Sequence, residues 1–333
     1  MKIAFHTPKL DVRGTCKSLY DYAHFNEKLL NNKSVIIIPE DFRVENHQYE
    51  HENKHENKHE NKYRKTIYKN WDIVFLKFSR RFEVRIYTDL EESIKDCDIL
   101  YTIKYGNFDN ILSYKIKTVV HCVFEMNEPH GNVYAGVSEN LALKYDKKLF
   151  VPHMISLQPS LNRENYRIKL GIPDNATVFG RHGGVDTFDL EIVINAIKRI
   201  VNYTNNIYFL FVNSPNFYSN KKIIHLNPFV DDDDKNRFIS TCDAMIHGQS
   251  LGETFGISIG EFSINGKPII AYGGIVLNDA YRSILGNNAI YYNTSDECYK
   301  IMREFKPYTV DNSPYIKYNP SEVMNIFKQV FID

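Results

Sequence analysis

The sequence predicts an α/β protein of two domains, each built around a mainly parallel sheet. Three observations point there. The chain has 333 residues, more than one ordinary domain uses and about right for two. Short apolar runs alternate with helix-like stretches throughout, which is the pattern of βα units rather than of hairpins. The alternation starts afresh near Thr177, after a polar stretch that contains Pro152, Pro159 and Pro173.

In the first half, strands are expected at 2–6, 34–39, 72–77, 83–87, 98–103 and 117–121, with a short one over 133–137. A helix from Cys16 to Leu30 follows the loop from His6 to Thr15, and Ser138 reads as the N-cap of another. In the second half, strands are expected at 177–180, 207–212, 223–226, 243–246, 268–271 and 289–292. Helices are expected at 188–202, 231–240, 256–265, 279–285 and 295–304, with a last one over 321–331. The expected division is 1–155, 156–317 and a C-terminal helical segment 318–333 that packs back on the first domain. Residues 43–70 are strongly polar and repeat His-Glu-Asn-Lys from His51 to Lys62, which predicts a mobile surface loop.

Composition excludes several classes. Lys+Arg and Asp+Glu number 41 each, so the basic excess of a nucleic-acid interface is missing. No apolar run is long enough to span a bilayer and the first residues read as a strand, so neither a transmembrane helix nor a secretory leader is expected. The five cysteines are scattered and read as reduced thiols, so a cytoplasmic location is expected. Lys77, Arg80, Arg81 and Arg85 interleave with Phe75, Phe78 and Phe82. That pattern allows at most peripheral membrane contact, and a solvated strand face is the simpler reading. His51 to His55 and His55 to His59 match H-E-x-x-H only because the repeat puts His at every fourth position. The segment has no apolar face to dock in a core, so no zinc site is expected. Asp231 to Asp234 read as a helix N-terminus rather than a D-x-D metal site. The G-x-G-x-x-G of nicotinamide-dependent oxidoreductases is missing.

The most informative segment runs from Asp243 to Ala271 and reads strand, loop, helix, turn, strand. Glu253 falls in the loop, and Glu261 lies about two turns into the helix. Eight helical steps span roughly 12 Å, the scale of a sugar–diphosphate–ribose chain. Glu253 is thus placed to touch a sugar and Glu261 to hold ribose hydroxyls. Phe255, Gly256 and Ile257 supply amide N–H groups at the helix start, which suit a diphosphate. Gly256 permits close backbone approach. This E-x7-E, embedded in E-x-F-G-x-x-x-x-E and followed by Gly266-Lys267-Pro268, resembles the motif of retaining GT-B glycosyltransferases, in particular those of the GT4 type. The likeness is good over about 172–305 and weaker before it.

The resemblance implies two Rossmann-like domains facing a central cleft. It also implies transfer of a hexosyl group from a UDP- or GDP-sugar to an acceptor hydroxyl, with retention and with no metal or further cofactor. Arg181 matches a basic residue that contacts the donor diphosphate, and Gly183 and Gly184 follow it. The family usually carries a lysine six residues on, where this chain has Thr187. His182 is a candidate to help hold the phosphate, with a solvated loop residue as the commoner reading. His121, at a strand end, matches a histidine near the sugar hydroxyls; the alternative is a hydrogen-bonded structural ring. Glu125, Asn127 and Glu128 follow as acceptor candidates, with His153 a further one. Gly14, with Arg13, matches a turn over the phosphates or acceptor. Asn227, Phe229 and Val230 match the segment that holds the base. An inactive sugar-nucleotide-binding scaffold, for which Thr187 argues, and a UDP-sugar epimerase of the same fold stay open. The acceptor, whether carbohydrate, lipid-linked or protein, is not legible.

Overall fold

A computed structural model describes residues 1–40, 71–159 and 164–333. The His-Glu-Asn-Lys repeat, with its H-E-x-x-H matches, lies outside the described residues. The chain forms two compact units, Met1–Met154 with Pro320–Asp333, and Ile155–Asn319.

The first unit holds strands β1 (Lys2–His6), β2 (Lys33–Pro39), β3 (Glu83–Tyr87), β4 (Ile99–Lys104), β5 (Lys117–Cys122) and β6 (Val133–Gly136). They form one sheet in the order β3-β2-β1-β4-β5-β6, with every pairing parallel. Central strands such as β2 are buried at successive residues, Val35 to Ile38. This is why they read as unbroken apolar runs rather than alternating ones. The helix Gly14–Leu30 buries Leu19, Tyr22, Ala23 and Asn26, the i, i+3, i+4, i+7 stripe of one helical face. The chain's last segment, Pro320–Phe327 and its π-helical extension Lys328–Ile332, brings Phe327 and Phe331 against Tyr101.

One expected strand is a helix. Residues 71–79 are helical, not extended over 72–77. Val74 and Phe78 are buried while Ile73 and Leu76 face outward, so the period is four, not two. A run of aromatic and branched apolar residues fits both templates, and only the surface against which it packs decides. Lys77, Arg80 and Arg81 are therefore not on a strand face, whereas Arg85 is on β3 and pairs with Asp96 at 2.6 Å. Lys77 lies over the Tyr20 ring at 4.8 Å, and Arg81 pairs with Glu27 at 2.6 Å. Among the described residues no helix is long and apolar enough to cross a membrane.

The second unit holds β7 (Thr177–His182), β8 (Ile207–Val212), β9 (Ile223–Leu226), β10 (Ala244–Ile246), β12 (Ile269–Tyr272) and β14 (Ala289–Tyr292). Their order is β14-β12-β10-β7-β8-β9, again all parallel. Alternate strand residues feed two cores: Val178, Leu210, Met245 and Ala271 one of them, and Phe179, Phe209, Ile246 and Ile270 the other. That is the alternation of side chains across a pleated strand. Two further strands of two residues each, β11 (Gly252–Glu253) and β13 (Asn278–Asp279), pair outside this sheet.

Burial also sets a pH dependence. His6 and His121 are enclosed, and burial holds each imidazole down to about 4. A folded-state value below the ordinary 6.5 or so means the neutral ring contributes stability above about pH 6.5, and this is lost as pH falls toward about 4. Acidification to pH 4 is expected to remove roughly 3 kcal/mol per ring. Urea unfolding at pH 7.5 and pH 4.5 checks this, and equal midpoints in wild type and His121→Phe at both values would contradict it.

Candidate active site

The second unit assembles most of the sequence candidates, starting where β7 ends. Adjacent strand residues point to opposite faces, so Arg181 and His182 diverge. The Arg181 guanidinium is 3% exposed. Its Nη1 donates to Ser214 Oγ at 2.6 Å. Its Nη2 donates to the Gly184 carbonyl at 3.1 Å and to Thr187 Oγ1. The chain thus uses Thr187 as an acceptor that steers Arg181, not as a second cation. Gly183 keeps the space this needs, since a Cβ there would meet Arg181 Nη2 at 2.7 Å. Among the described residues no carboxylate lies within ion-pair distance of Arg181. Burial depresses its pKa to about 10, opposed chiefly by the charge of Glu253. An enclosed cation bonded only to neutral groups is costly by itself, which suits a site awaiting an anion.

Glu253 is held by the short β11–β13 pairing and stays a quarter exposed; its Oε1 lies 3.3 Å from Nε2 of His247. The preceding Gly252 has φ +71°, and a Cβ on it would stand 1.9 Å from the Asn278 carbonyl oxygen. Gly252→Ala is therefore expected to break this pairing and destabilise the protein by about 1–3 kcal/mol. An unchanged urea midpoint would refute that.

After Glu253 the chain turns into the helix Ile257–Ile264 through Gly256, which adopts φ 86° and has no side chain to cap the first turn. The first-turn amides of such a helix have no intrahelical acceptor, and a helix N-terminus favours an anion. Gly256 and Ile257 stand at this start. Phe255 differs: its ring is buried edge-on to Tyr315 and Tyr318, and its carbonyl accepts from the Tyr315 hydroxyl at 2.8 Å. Its side chain anchors the turn.

Glu261, on the same helix, is 1% exposed. Its Oε1 accepts from Lys235 Nζ at 2.7 Å, and its Oε2 lies 3.1 Å from His182 Nε2. His182 is thus no solvated loop residue. Its ring stacks on Phe262, and burial lowers its pKa while Glu261 opposes that. Lys235 carried no signal in the sequence beyond its place in the turn after Asp231, because Glu261 is 26 positions away.

The segment expected to hold a base lies between β9 and the helix Asp232–Thr241. Asn227 is exposed, Val230 is half-buried, and Phe229 packs against Tyr166 and Phe238. Asp231 caps that helix, accepting from the Asp233 amide at 2.6 Å. Among the described residues, no group of three or more His, Cys, Asp or Glu is placed to hold a metal.

The remaining candidates belong to the first unit. His121 is fully buried, and both ring nitrogens are engaged: Nδ1 with the Tyr101 hydroxyl at 2.7 Å and Nε2 with the Val151 carbonyl at 2.8 Å. Both ring nitrogens are thus committed within the protein, which is the hydrogen-bonded arrangement given above as the alternative to a histidine near the sugar hydroxyls. His153 is equally enclosed, 5.8 Å away ring to ring. Gly14 opens the helix Gly14–Leu30, and Arg13 before it makes no side-chain cap. Glu125 and Asn127 contact each other, and Glu128 accepts from the Phe108 amide at 2.7 Å.

Two all-parallel six-stranded sheets, each wound with helices, are the architecture of the GT-B glycosyltransferases, and solved structures of that class match the fold. HepE from Anabaena, solved in complex with UDP-glucose, gives a TM-score of 0.62 at 13% identity, covering 99% of this chain and 95% of that one. TarM gives 0.62 at 10% identity over 100% and 99%. A glycosyltransferase from Rickettsia africae gives 0.56 at 14% over 99% and 94%. At these identities the likeness establishes the fold. No model of a protein family matches the chain, nor does any curated protein.

Proposed function

We propose that the protein is a cytoplasmic glycosyltransferase that moves a hexosyl group from a UDP- or GDP-sugar to an acceptor hydroxyl, with retention of configuration and without a metal or further cofactor. The observation that carries this reading is Arg181, a buried guanidinium at a strand end whose hydrogen-bond partners among the described residues are all neutral. With the helix start at Gly256 and Ile257, it forms a receptor for a diphosphate whose charge grows as the glycosyl bond breaks. Glu253 faces the sugar, Glu261 the ribose, and the Asn227–Val230 segment the base. The fold likeness to a structure holding UDP-glucose supports the donor class.

Thermal shift with UDP, GDP, ADP and their sugar conjugates, with and without EDTA, tests this. A ligand at about 100 times its Kd stabilises by roughly 2.7 kcal/mol. A shift selective for one base and insensitive to EDTA is expected. No shift with any nucleotide sinks the proposal. A second reading, a nucleotide-sugar-binding protein without turnover, is favoured by Thr187, which removes one of two usual cations. Binding without product, in a screen of saccharide acceptors and of donor hydrolysis, would select it. Epimerised free sugar would instead select an epimerase.

A further inference from the structure

His247 lies behind Glu253 and was not singled out by any sequence motif. It follows β10, is 2% exposed, and is fixed from several sides. Its amide donates to the Ile270 carbonyl at 2.9 Å. Its carbonyl accepts from the Tyr292 hydroxyl at 2.7 Å. Its ring sits 5.0 Å from that of Tyr281. With its backbone pinned, the ring has one polar contact among the described residues, Nε2 to Glu253 Oε1 at 3.3 Å. Nδ1 is buried and has no hydrogen-bond partner among the described residues.

That asymmetry selects a tautomer. A proton on Nδ1 would be a buried donor with nothing to receive it, which costs more than a buried lone pair. The proton therefore sits on Nε2 and is donated to Glu253. Oε1 of Glu253 is engaged from the protein side, and Oε2 has no hydrogen bond among the described residues. The β11–β13 pairing holds the Glu253 backbone, so the histidine decides the remaining freedom, the direction of the carboxylate.

We propose that His247 is a positioning residue. It clamps Oε1 of Glu253 so that Oε2 is aimed at the hydroxyls of the donor's glycosyl group, and it thereby sets how much the sugar adds to nucleotide affinity. This rests on the reading of Glu253 as the sugar-facing carboxylate.

The readout is the ratio of two dissociation constants by calorimetry, bare nucleotide over sugar nucleotide, with UDP and UDP-glucose or GDP and GDP-mannose, whichever pair the wild type binds. His247→Asn keeps a polar side chain but is too short to reach Oε1. His247→Gln puts an amide N–H near the position of Nε2. In His247→Asn the ratio is expected to fall about 10-fold or more, the contribution of one hydrogen bond to a charged group. Affinity for the bare nucleotide should stay within about twofold, given the additivity of separate contacts. His247→Gln should recover most of the ratio. If circular dichroism shows His247→Asn unfolded, His247→Leu replaces it with the same expectation. A ratio unchanged in the reach-deficient variant overturns the inference alone. So does equal weakening of nucleotide and sugar nucleotide, the mark of a merely structural residue. A wild type that binds the nucleotide but gains nothing from the sugar overturns the sugar-facing reading of Glu253 and this inference with it.

Discussion

Replacing Arg181 with methionine is expected to remove nucleotide binding while leaving the fold as stable as before or more stable. The guanidinium is enclosed, and its partners Ser214, Gly184 and Thr187 are neutral. Hydrogen bonds from a charged donor to a diphosphate contribute about 1.5–3 kcal/mol each. Losing two of them lowers affinity by roughly 100-fold or more. The same cation costs free energy in the empty protein, because its desolvation is only partly offset by the charges of Glu253, Asp186 and Asp189, none of them within ion-pair distance among the described residues. Methionine fills similar volume without that cost. Calorimetry with the preferred nucleotide and urea unfolding on the same preparation check both halves. Retained binding would show that the diphosphate is held elsewhere. A loss of several kcal/mol of stability would mean that Arg181 is a structural tie.

Lys235→Met is expected to have the opposite profile. Glu261 is 1% exposed, and Lys235 is the cation in contact with it. Taking away one partner of a buried ion pair typically costs about 3–5 kcal/mol, because the remaining charge is left in a poor solvent. Changing both residues, Lys235→Met with Glu261→Leu, should recover most of that, since the charge and its counter-charge leave together. A double-mutant cycle by urea unfolding gives the coupling directly. Additive losses would show that the two side chains do not depend on each other. The contrast with Arg181 distinguishes a cation placed for an internal anion from one placed for an external anion.

Much of this was legible from sequence for local reasons. A parallel strand buried on both faces must be apolar residue after residue, so β1, β2 and β8 announce themselves. Asp231 at the start of a helix is legible as a cap because the bond it makes is two residues long. Glu253 and Glu261 are legible as a pair because they lie eight residues apart on one continuous strand, turn and helix segment.

What the sequence by itself determined, then, is the alternation of strand and helix and those contacts that close within a turn or two. Residues 72–77 show the limit even there, since an aromatic-rich run satisfies both periods until a packing surface chooses. Only the tertiary structure decided which charges meet. Lys235 reaches Glu261 from another helix, and His182 reaches it from a strand end. Thr187 turns from a missing cation into a ligand of Arg181. His121, at a strand end that reads as catalytic, is closed off by Tyr101 and Val151. The physical reason is common to all four. A buried polar group takes its role from the partners that satisfy it, and those partners are brought together by chain crossings that no local pattern records.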